Sequence, residues 1–157
     1  MINLFIIMLI LTCVSVMAAP VGPPQPGQML PEMKLQKPAV GKDLQYLGLS
    51  GSGAFTVDQI KAQAVVIQIF SMYCPYCQKD APNLNRFFGL IEGNPSLKGK
   101  IKIIGVGAGN TSFEVNTFKK KYQVPFPLIP DADYTLHKIL GEVRTPYFIV
   151  VQLSGSK

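Results

Sequence analysis

The sequence predicts an α/β fold in which helices flank a central mixed sheet. Three observations indicate it: an apolar, β-branched run at Ala64–Phe70, a helically spaced apolar pattern directly after it, and a second strand-like run at residues 147–151. With 157 residues, 48% of them hydrophobic and 15% charged, the chain has the composition of one folded domain rather than of a disordered segment.

The beginning of the chain has the pattern of an export signal. Residues 4–16 form an apolar run, which is shorter than the roughly 20 residues of a membrane-spanning helix. Val16 and Ala18 suit a cleavage site, so we expect residues 1–18 to be a signal peptide and the protein to be exported, in the periplasm or elsewhere outside the cytoplasm. Because this segment has no basic side chain, an uncleaved anchor is an alternative, and so is a lipid on Cys13.

A spacer is predicted between the leader and the folded domain. Residues 19–29 are rich in proline and glycine, which favours extended backbone over helix. The domain would then span residues 30–157. Contact with a membrane is expected only if the leader is retained.

The charge pattern does not indicate a nucleic-acid-binding protein. The net charge is +6, but the basic residues are scattered except at residues 98–102 and 119–121, and the only arginines are Arg86 and Arg144. We therefore expect no nucleic-acid partner, and a mild preference for acidic partners or anionic surfaces. The cluster at residues 119–121 is expected to be a solvated helix end.

Two cysteines remain once the leader is set aside, Cys74 and Cys77. Two are too few for a disulfide scaffold, and a closed zinc site needs four ligands although the chain has a single histidine, His137. We therefore expect neither a metal nor another cofactor. A close cysteine pair suits disulfide exchange, in which one thiolate attacks and the second thiol resolves the mixed disulfide. Two cysteines that merely share a buried helix face are the alternative.

The sequence around the cysteines predicts a strand, a turn and a helix. Ala64–Phe70 is expected to be a buried central strand, and Pro75 suits the first position of a helix. The apolar residues of that helix are Ala81, Leu84, Phe87, Phe88 and Ile91, and residues 93–95 end it. Cys74 would then lie at the helix N-terminus, where the helix dipole lowers the pKa of a thiol. We therefore predict that Cys74 is the nucleophile and Cys77 the resolving thiol, and that the two form a redox disulfide.

Two further residues of this helix carry expectations. Asp80 follows Cys77 by three positions and is a candidate to accept and return the proton of Cys77. The alternative is a solvated acid that complements the helix dipole. Pro82 lies in the helix interior and predicts a kink.

A second candidate half of the site is Thr145-Pro146. A proline that heads a strand is unusual, because it lacks a ladder hydrogen-bond donor. We predict a cis peptide bond before Pro146 that presents the backbone of Thr145 to an extended substrate peptide.

Taken together, the strand, Cys-Pro-Tyr-Cys, the helix with its internal proline and the Thr-Pro-strand resemble the thioredoxin superfamily. Pro146 follows Cys77 by 69 positions. This distance is similar to that of the exported TlpA-like and redoxin (AhpC/TSA-like) branch, in which a strand–helix unit is inserted. The resemblance covers residues 30–157 and implies a thioredoxin-like fold. It also implies a substrate-binding surface, whose residues are Tyr73, Pro75, Tyr76, Thr145 and Pro146.

The resemblance also assigns the remaining elements. It implies a parallel strand at residues 100–107, a helix at 112–122, a short strand at 126–129 and a helix at 133–140 that ends at Gly141. In the family a hairpin, an edge strand and a final helix follow the strand after the cis-proline, whereas this sequence ends at the turn. Either the sequence is a fragment, or the sheet lacks these elements and exposes an edge and an apolar patch.

The resemblance implies an extracytoplasmic thiol–disulfide oxidoreductase that acts on protein thiols and disulfides and is served by an upstream redox partner. A thiol peroxidase is one alternative, because Ser71 lies three positions before Cys74, although Ile67 replaces the proline of that motif. A non-catalytic module that binds peptides is another. The glycines at residues 105–109 lack the spacing of a dinucleotide loop, and Asn110-Thr111-Ser112 matches a glycosylation acceptor only in a eukaryotic secretory route.

Overall fold

The computed structural model describes residues 22–154, so the predicted signal peptide and Cys13 lie outside the described residues. In chain order the elements are β1 (Leu35–Gln36), α1 (Gly41–Leu47), β2 (Ala54–Phe55), a 3₁₀ turn (Val57–Gln59), β3 (Ala64–Phe70), α2 (Pro75–Gly93), β4 (Ile101–Ala108), α3 (Ser112–Lys121), β5 (Leu128–Asp131), α4 (Thr135–Ile139) and β6 (Tyr147–Gln152). The predicted α/β class is confirmed.

The central sheet has four strands in the order β5-β4-β3-β6. Strand β3 pairs in parallel with β4, and β4 in parallel with β5, whereas β6 runs antiparallel to β3. The sheet is therefore mixed, as predicted. A separate two-stranded sheet is formed by β1 and β2.

Alternate side chains of the central strands enter two separate cores, as the two-residue period of a strand requires. On β3, Val65, Ile67 and Ile69 pack on one face with the two-stranded sheet of β1 and β2, with α1 and with α4. Val66 and Phe70 pack with α2 and α3 on the other face. Strand β3 is buried on both sides, and this explains its almost continuous apolar sequence.

Two predicted elements have different boundaries in the structure. The strand predicted at residues 126–129 is β5, Leu128–Asp131, because Pro125 and Pro127 have no N–H to donate to a ladder. The helix predicted at residues 133–140 is the shorter α4, Thr135–Ile139. It begins later because Tyr134 adopts a left-handed backbone with φ of 61°.

The expectation that the cluster at residues 119–121 is entirely solvated was wrong for Lys119. Its ammonium group lies 2.5 Å from Oδ2 of Asp43, a buried residue of α1, and donates to the carbonyl of Phe126 at 2.8 Å. Lys120 and Lys121 are exposed as expected. The sequence analysis had made no assignment for α1, so the partner of Lys119 was missing from it.

The described part of the predicted spacer lies against the domain. Gln28 donates its N–H to the carbonyl of Gln25 at 3.0 Å, which closes a turn. The backbone of Gly22 and Pro23 packs so closely on Gly141 that a side chain at position 141 would collide with it.

Strand β6 lies at one edge of the sheet within residues 22–154. Phe148 and Val150 on this strand are 42% and 70% exposed, so the apolar patch expected at this edge is present. None of the helices in these residues is long and apolar enough to cross a lipid bilayer.

Candidate active site

The sequence Ser71-Met72-Tyr73 forms the turn that leads from the central strand β3 to Cys74, and we call residues 71–74 the active-site loop. Cys74 is the N-cap residue of α2 and has extended backbone, with φ of −80° and ψ of 114°. Pro75 occupies the first helical position, as predicted. The sulfur of Cys74 therefore lies where the unpaired N–H groups of a helix favour a negative charge.

The cis-proline segment forms the opposite wall of the site. The Thr145–Pro146 peptide bond is cis, as predicted. Because β6 pairs with β3 and brings Tyr147 opposite Ile69, Thr145 lies beside the end of β3 and next to Cys74. The Cys74 thiol donates to the Thr145 carbonyl oxygen at 3.3 Å.

The pKa of the Cys74 thiol is lowered from its ordinary value. Burial acts in the opposite direction, but hydrogen bonds from the Thr145 side chain and from the backbone of Cys77 and Tyr76 favour the thiolate and outweigh it. The N–H of Cys77 lies 3.4 Å from the Cys74 sulfur. Cys74 is partly exposed, so its thiolate is accessible to a substrate.

The Cys77 thiol has the opposite character. Its side chain is 0% exposed, and this burial raises its pKa to about 12. A hydrogen bond with the Ser71 backbone lowers the pKa in part, whereas the neighbouring Cys74 raises it. The site therefore pairs an accessible thiol that ionises more readily than ordinary cysteine with a buried thiol that stays protonated at neutral pH, and no disulfide joins the two cysteines here.

The aromatic residues that were predicted to bind substrate lie exposed near the dithiol. Tyr73 and Tyr76 are 66% and 75% exposed, and Pro75 between them in the chain is also exposed. The Tyr73 hydroxyl donates to the carboxylate of Glu114 on α3, and this hydrogen bond lowers the pKa of Glu114. Thr145 is half-buried.

Asp80 lies one turn beyond Cys77 on α2. Its carboxylate accepts a hydrogen bond from the side-chain amide of Asn83 at 3.2 Å. Among the described residues, no hydrogen bond joins Asp80 to Cys77. A proton-transfer role for Asp80 stays a prediction.

Sequence reasoning missed two polar residues, Asn110 in the loop between β4 and α3 and Glu114 in the first turn of α3. The buried side chain of Asn110 accepts from the Met72 N–H, and Glu114 holds the Tyr73 hydroxyl. A signal was present, because the carboxyl ends of adjacent parallel strands lie at one edge of a sheet and Asn110 follows β4 there. The glycosylation pattern drew attention to Asn110 for a different reason.

The described residues offer no cluster of three or more histidine, cysteine, aspartate or glutamate side chains that could hold a metal ion. The reactive groups that the site does contain are the sulfur atoms of Cys74 and Cys77. An accessible thiolate beside a second thiol can attack a disulfide and then release the product.

Curated proteins that resemble this chain are thiol-disulfide oxidoreductases. The chain is 26% identical over 96 residues to ResA of Bacillus thuringiensis subsp. konkukian, which covers 60% of the chain and 52% of that protein. It is 22% identical over 97 residues to ResA of Halalkalibacterium halodurans, with 62% and 52% covered. The chain thus spans about half the length of the curated relatives it matches.

Solved structures share the fold. The thioredoxin domain of a thiol-disulfide oxidoreductase from Bacteroides vulgatus has a TM-score of 0.60 and 15% identity, and 80% of each chain is covered. A thiol:disulfide interchange protein from Bacteroides sp. has a TM-score of 0.59 and 15% identity, over 80% of this chain and 74% of that one. The predicted thioredoxin-like fold is confirmed by these likenesses.

The family match covers most of the chain and includes both halves of the dithiol site. The pattern of the AhpC/TSA family matches residues 26–155. The fold, the position of the dithiol and this match agree, and the chain belongs to the AhpC/TSA family, a redoxin family of the thioredoxin superfamily.

Proposed function

We propose that the protein is an extracytoplasmic thiol–disulfide oxidoreductase that exchanges disulfides with protein substrates through Cys74 and Cys77. The observation that supports this most strongly is the contrast between the two thiols. Cys74 is accessible at a helix N-terminus with a lowered pKa, whereas Cys77 is buried with its pKa raised to about 12. Such a pair separates the attacking group from the resolving group.

The first step is an attack by the Cys74 thiolate on a substrate disulfide. A bond forms between the Cys74 sulfur and one substrate sulfur, the substrate S–S bond breaks, and the other substrate sulfur leaves as a thiolate and takes up a proton. The helix N-terminus and the Thr145 side chain stabilise the starting thiolate.

The second step releases the substrate. Cys77 loses its proton and attacks the Cys74 sulfur, so that the Cys74–Cys77 disulfide forms and the second substrate sulfur leaves as a thiol. Two electrons have passed from the dithiol to the substrate. An upstream dithiol partner returns them by the same steps, and the reverse sequence would oxidise a substrate dithiol.

Substrate docking would use the two walls of the site. The Thr145 backbone, held by the cis peptide at Pro146, would bind an extended peptide by β-type hydrogen bonds, and the exposed rings of Tyr73 and Tyr76 would contact its side chains. Pro75 begins α2 between these rings.

Asp80 is proposed to accept the proton of Cys77 through a water molecule and to return it. Its carboxylate lies on the helix that carries Cys77 and is half-buried. An Asp80→Asn variant should slow the release of a trapped mixed disulfide but leave its formation unchanged.

The location outside the cytoplasm is proposed from the leader. Residues 1–18 have the signal-peptide pattern, and a stable redox disulfide is compatible with an oxidising compartment. The protein would be attached to a membrane only if this segment is retained.

Trapping experiments test the proposal. A Cys77→Ser variant should attack substrate disulfides but fail to resolve them, so mixed disulfides through Cys74 should accumulate and disappear on reduction. A Cys74→Ser variant is the matched control and should trap nothing, because the remaining thiol is buried and protonated. The purified wild-type chain should reduce insulin or a small aromatic disulfide.

Two results would contradict this function. Turnover of hydrogen peroxide without reduction of any disulfide would favour a thiol peroxidase. Full biological activity in the Cys74→Ser variant would favour a module that only binds peptides.

A further inference from the structure

Asn110 is a polar residue with 0% exposed surface, beside the active-site loop. It follows β4, the strand that pairs with β3. Its N–H donates to the Gly107 carbonyl at 2.9 Å, and its own carbonyl accepts from the Asp131 N–H at 3.1 Å. The backbone of Asn110 is therefore hydrogen-bonded to the carboxyl ends of β4 and β5.

The side chain of Asn110 is directed to the active-site loop. Its Oδ1 accepts from the Met72 N–H at 2.8 Å, and its Nδ2 donates to the Ser71 hydroxyl oxygen at 3.4 Å. On the other side of the loop, the Gln78 side chain on α2 donates to the Met72 carbonyl at 2.7 Å. The Met72 backbone is thus held by the sheet and by the helix at once.

The backbone of Ser71 in this loop interacts with both cysteines. The Ser71 carbonyl accepts from the Cys74 N–H at 3.1 Å, which closes the turn into α2. The Ser71 backbone also forms a hydrogen bond with the Cys77 sulfur. A displacement of Ser71 and Met72 would therefore change the surroundings of both cysteines.

We propose that Asn110 is a positioning residue for the dithiol, whose amide fixes Ser71 and Met72 and thereby holds Cys74 at the N-terminus of α2. The inference rests on the proposed dithiol function. It adds to that function a contact from the turn between β4 and α3, which lies outside the Cys-x-x-Cys motif. An apolar side chain could fill the same volume, but it would leave the Met72 N–H without a partner in the interior.

The glycosylation-like pattern Asn110-Thr111-Ser112 is explained by this role. The Asn110 amide is buried and bonded, and the Thr111 hydroxyl accepts the Glu114 N–H at 3.3 Å as the N-cap of α3. Asn110, the residue that would carry a glycan, is therefore used inside the fold.

The charged groups on the elements around Cys74 stay in place when Asn110 is changed. They are Lys79 and Asp80 on α2, Glu114 on α3 and Arg144 before the cis-proline. A neutral substitution at position 110 therefore tests the hydrogen bonds to the loop rather than a change of charge.

The test is the pH dependence of Cys74 alkylation by iodoacetamide in the reduced full chain. Iodoacetamide reacts with the thiolate, and Cys77 is too buried and too weakly acidic to compete. In Asn110→Ala we expect the pKa of Cys74 to move towards that of free cysteine. The alkylation rate should fall about three- to tenfold near pH 6.5 and match the wild type at alkaline pH, where both proteins carry the thiolate.

Asn85→Ala is the matched control, because the Asn85 amide also bonds to backbone carbonyls, those of Tyr122 at 2.8 Å and Gln123 at 3.3 Å, but far along α2 from the dithiol. It should lower stability without changing the pH profile. If Asn110→Ala does not fold, Ser71→Ala is the second test, since it removes the longer of the two hydrogen bonds between Asn110 and the loop and keeps the one from the Met72 N–H. Its expected effect is a smaller rise in the pKa of Cys74.

An unchanged pH profile in folded Asn110→Ala, or in Ser71→Ala where that variant decides, would overturn the inference. Alkylation needs no substrate disulfide, so the outcome is independent of whether the wild type proves to be an oxidoreductase. Absence of disulfide exchange in the wild type would instead refute the proposed function.

Discussion

At the scale of single residues, the site depends on two identical thiols in different surroundings. Cys74 lies at a helix N-terminus and is partly exposed, whereas Cys77 lies one turn inside the helix and is fully buried. Burial removes the water that would stabilise a thiolate, and hydrogen bonds outweigh this loss at Cys74 but not at Cys77. Three positions along the chain therefore separate a thiol that ionises readily from one that stays protonated.

This contrast predicts a two-step titration of the reduced protein. Because the pKa of Cys74 is lowered, its thiolate should form at a lower pH than that of free cysteine and should be lost as the pH falls through that lowered value. Cys77 should ionise near pH 12. Thiolate absorbance at 240 nm should therefore rise by one equivalent below the ordinary cysteine range and by the second only in strong alkali.

Single-cysteine variants assign the two steps. Cys77→Ser should keep the first step, and Cys74→Ser should lose it. Reactivity towards a small disulfide should follow the first step, increasing with pH and then levelling off. Two thiols that ionise together in the ordinary range would refute the assignment.

The sequence identified the two cysteines and Pro146 because their signals are local: a strand, a turn and a proline in fixed order. Asn110 and Glu114 were missed, since each contacts residues about 40 positions away. Their contacts arise only when β4 pairs with β3, and a single sequence without its fold does not show which turn will face the cysteines.

At the scale of elements, residues at the ends of a helix determine where it begins and stops, and an ion pair between Lys119 and Asp43 joins α3 to α1. The long helix α2 was predicted to within a residue because Pro75 begins it and residues 93–95 end it. The boundaries of β5 and α4 were less accurate. They depend on proline backbones that cannot pair and on the left-handed Tyr134, whose conformation is set by the surrounding loop.

The pair formed by Lys119 and Asp43 ties α3 to α1, and it gives a prediction about stability. Replacing Lys119 by methionine leaves the buried Asp43 carboxylate without its partner, so the free energy of unfolding should fall by about 3 kcal/mol. Urea unfolding of the full chain measures this. Lys120→Met, on the exposed face of the same helix, should change it by about 0.5 kcal/mol or less.

A double variant separates the cost of an orphaned charge from the value of the pair. Adding Asp43→Leu to Lys119→Met removes the unpaired carboxylate and should restore much of the lost stability. If the double variant is no more stable than Lys119→Met alone, the loss has another cause, such as the missing hydrogen bond to Phe126.

At the scale of the whole molecule, the central sheet separates two cores and joins β4 and α3 to the active site. Gly107 on β4 lies at the meeting point. A methyl group there would come within 2.6 Å of Val115 Cγ1, 3.2 Å of Asn110 Cβ and 3.3 Å of the Phe70 ring. The residue must be small because strand, helix and the Asn110 turn converge on it.

Gly107→Ala should therefore lower the free energy of unfolding by about 1–3 kcal/mol, since none of the three neighbours is the free end of a flexible side chain. Gly89→Ala is the matched control. Nothing lies within 4 Å of its added methyl group on α2, and relief of backbone entropy should stabilise the protein by up to about 1 kcal/mol. Urea unfolding distinguishes the two signs.

Because the added methyl group at position 107 also presses on Asn110, the same variant should disturb the active-site loop. Alkylation of Cys74 in Gly107→Ala should then show the raised pKa expected for Asn110→Ala, whereas Gly89→Ala should keep the wild-type profile. Loss of stability with an unchanged profile would mean that the packing of the sheet against α3 and the geometry of the dithiol are independent of each other.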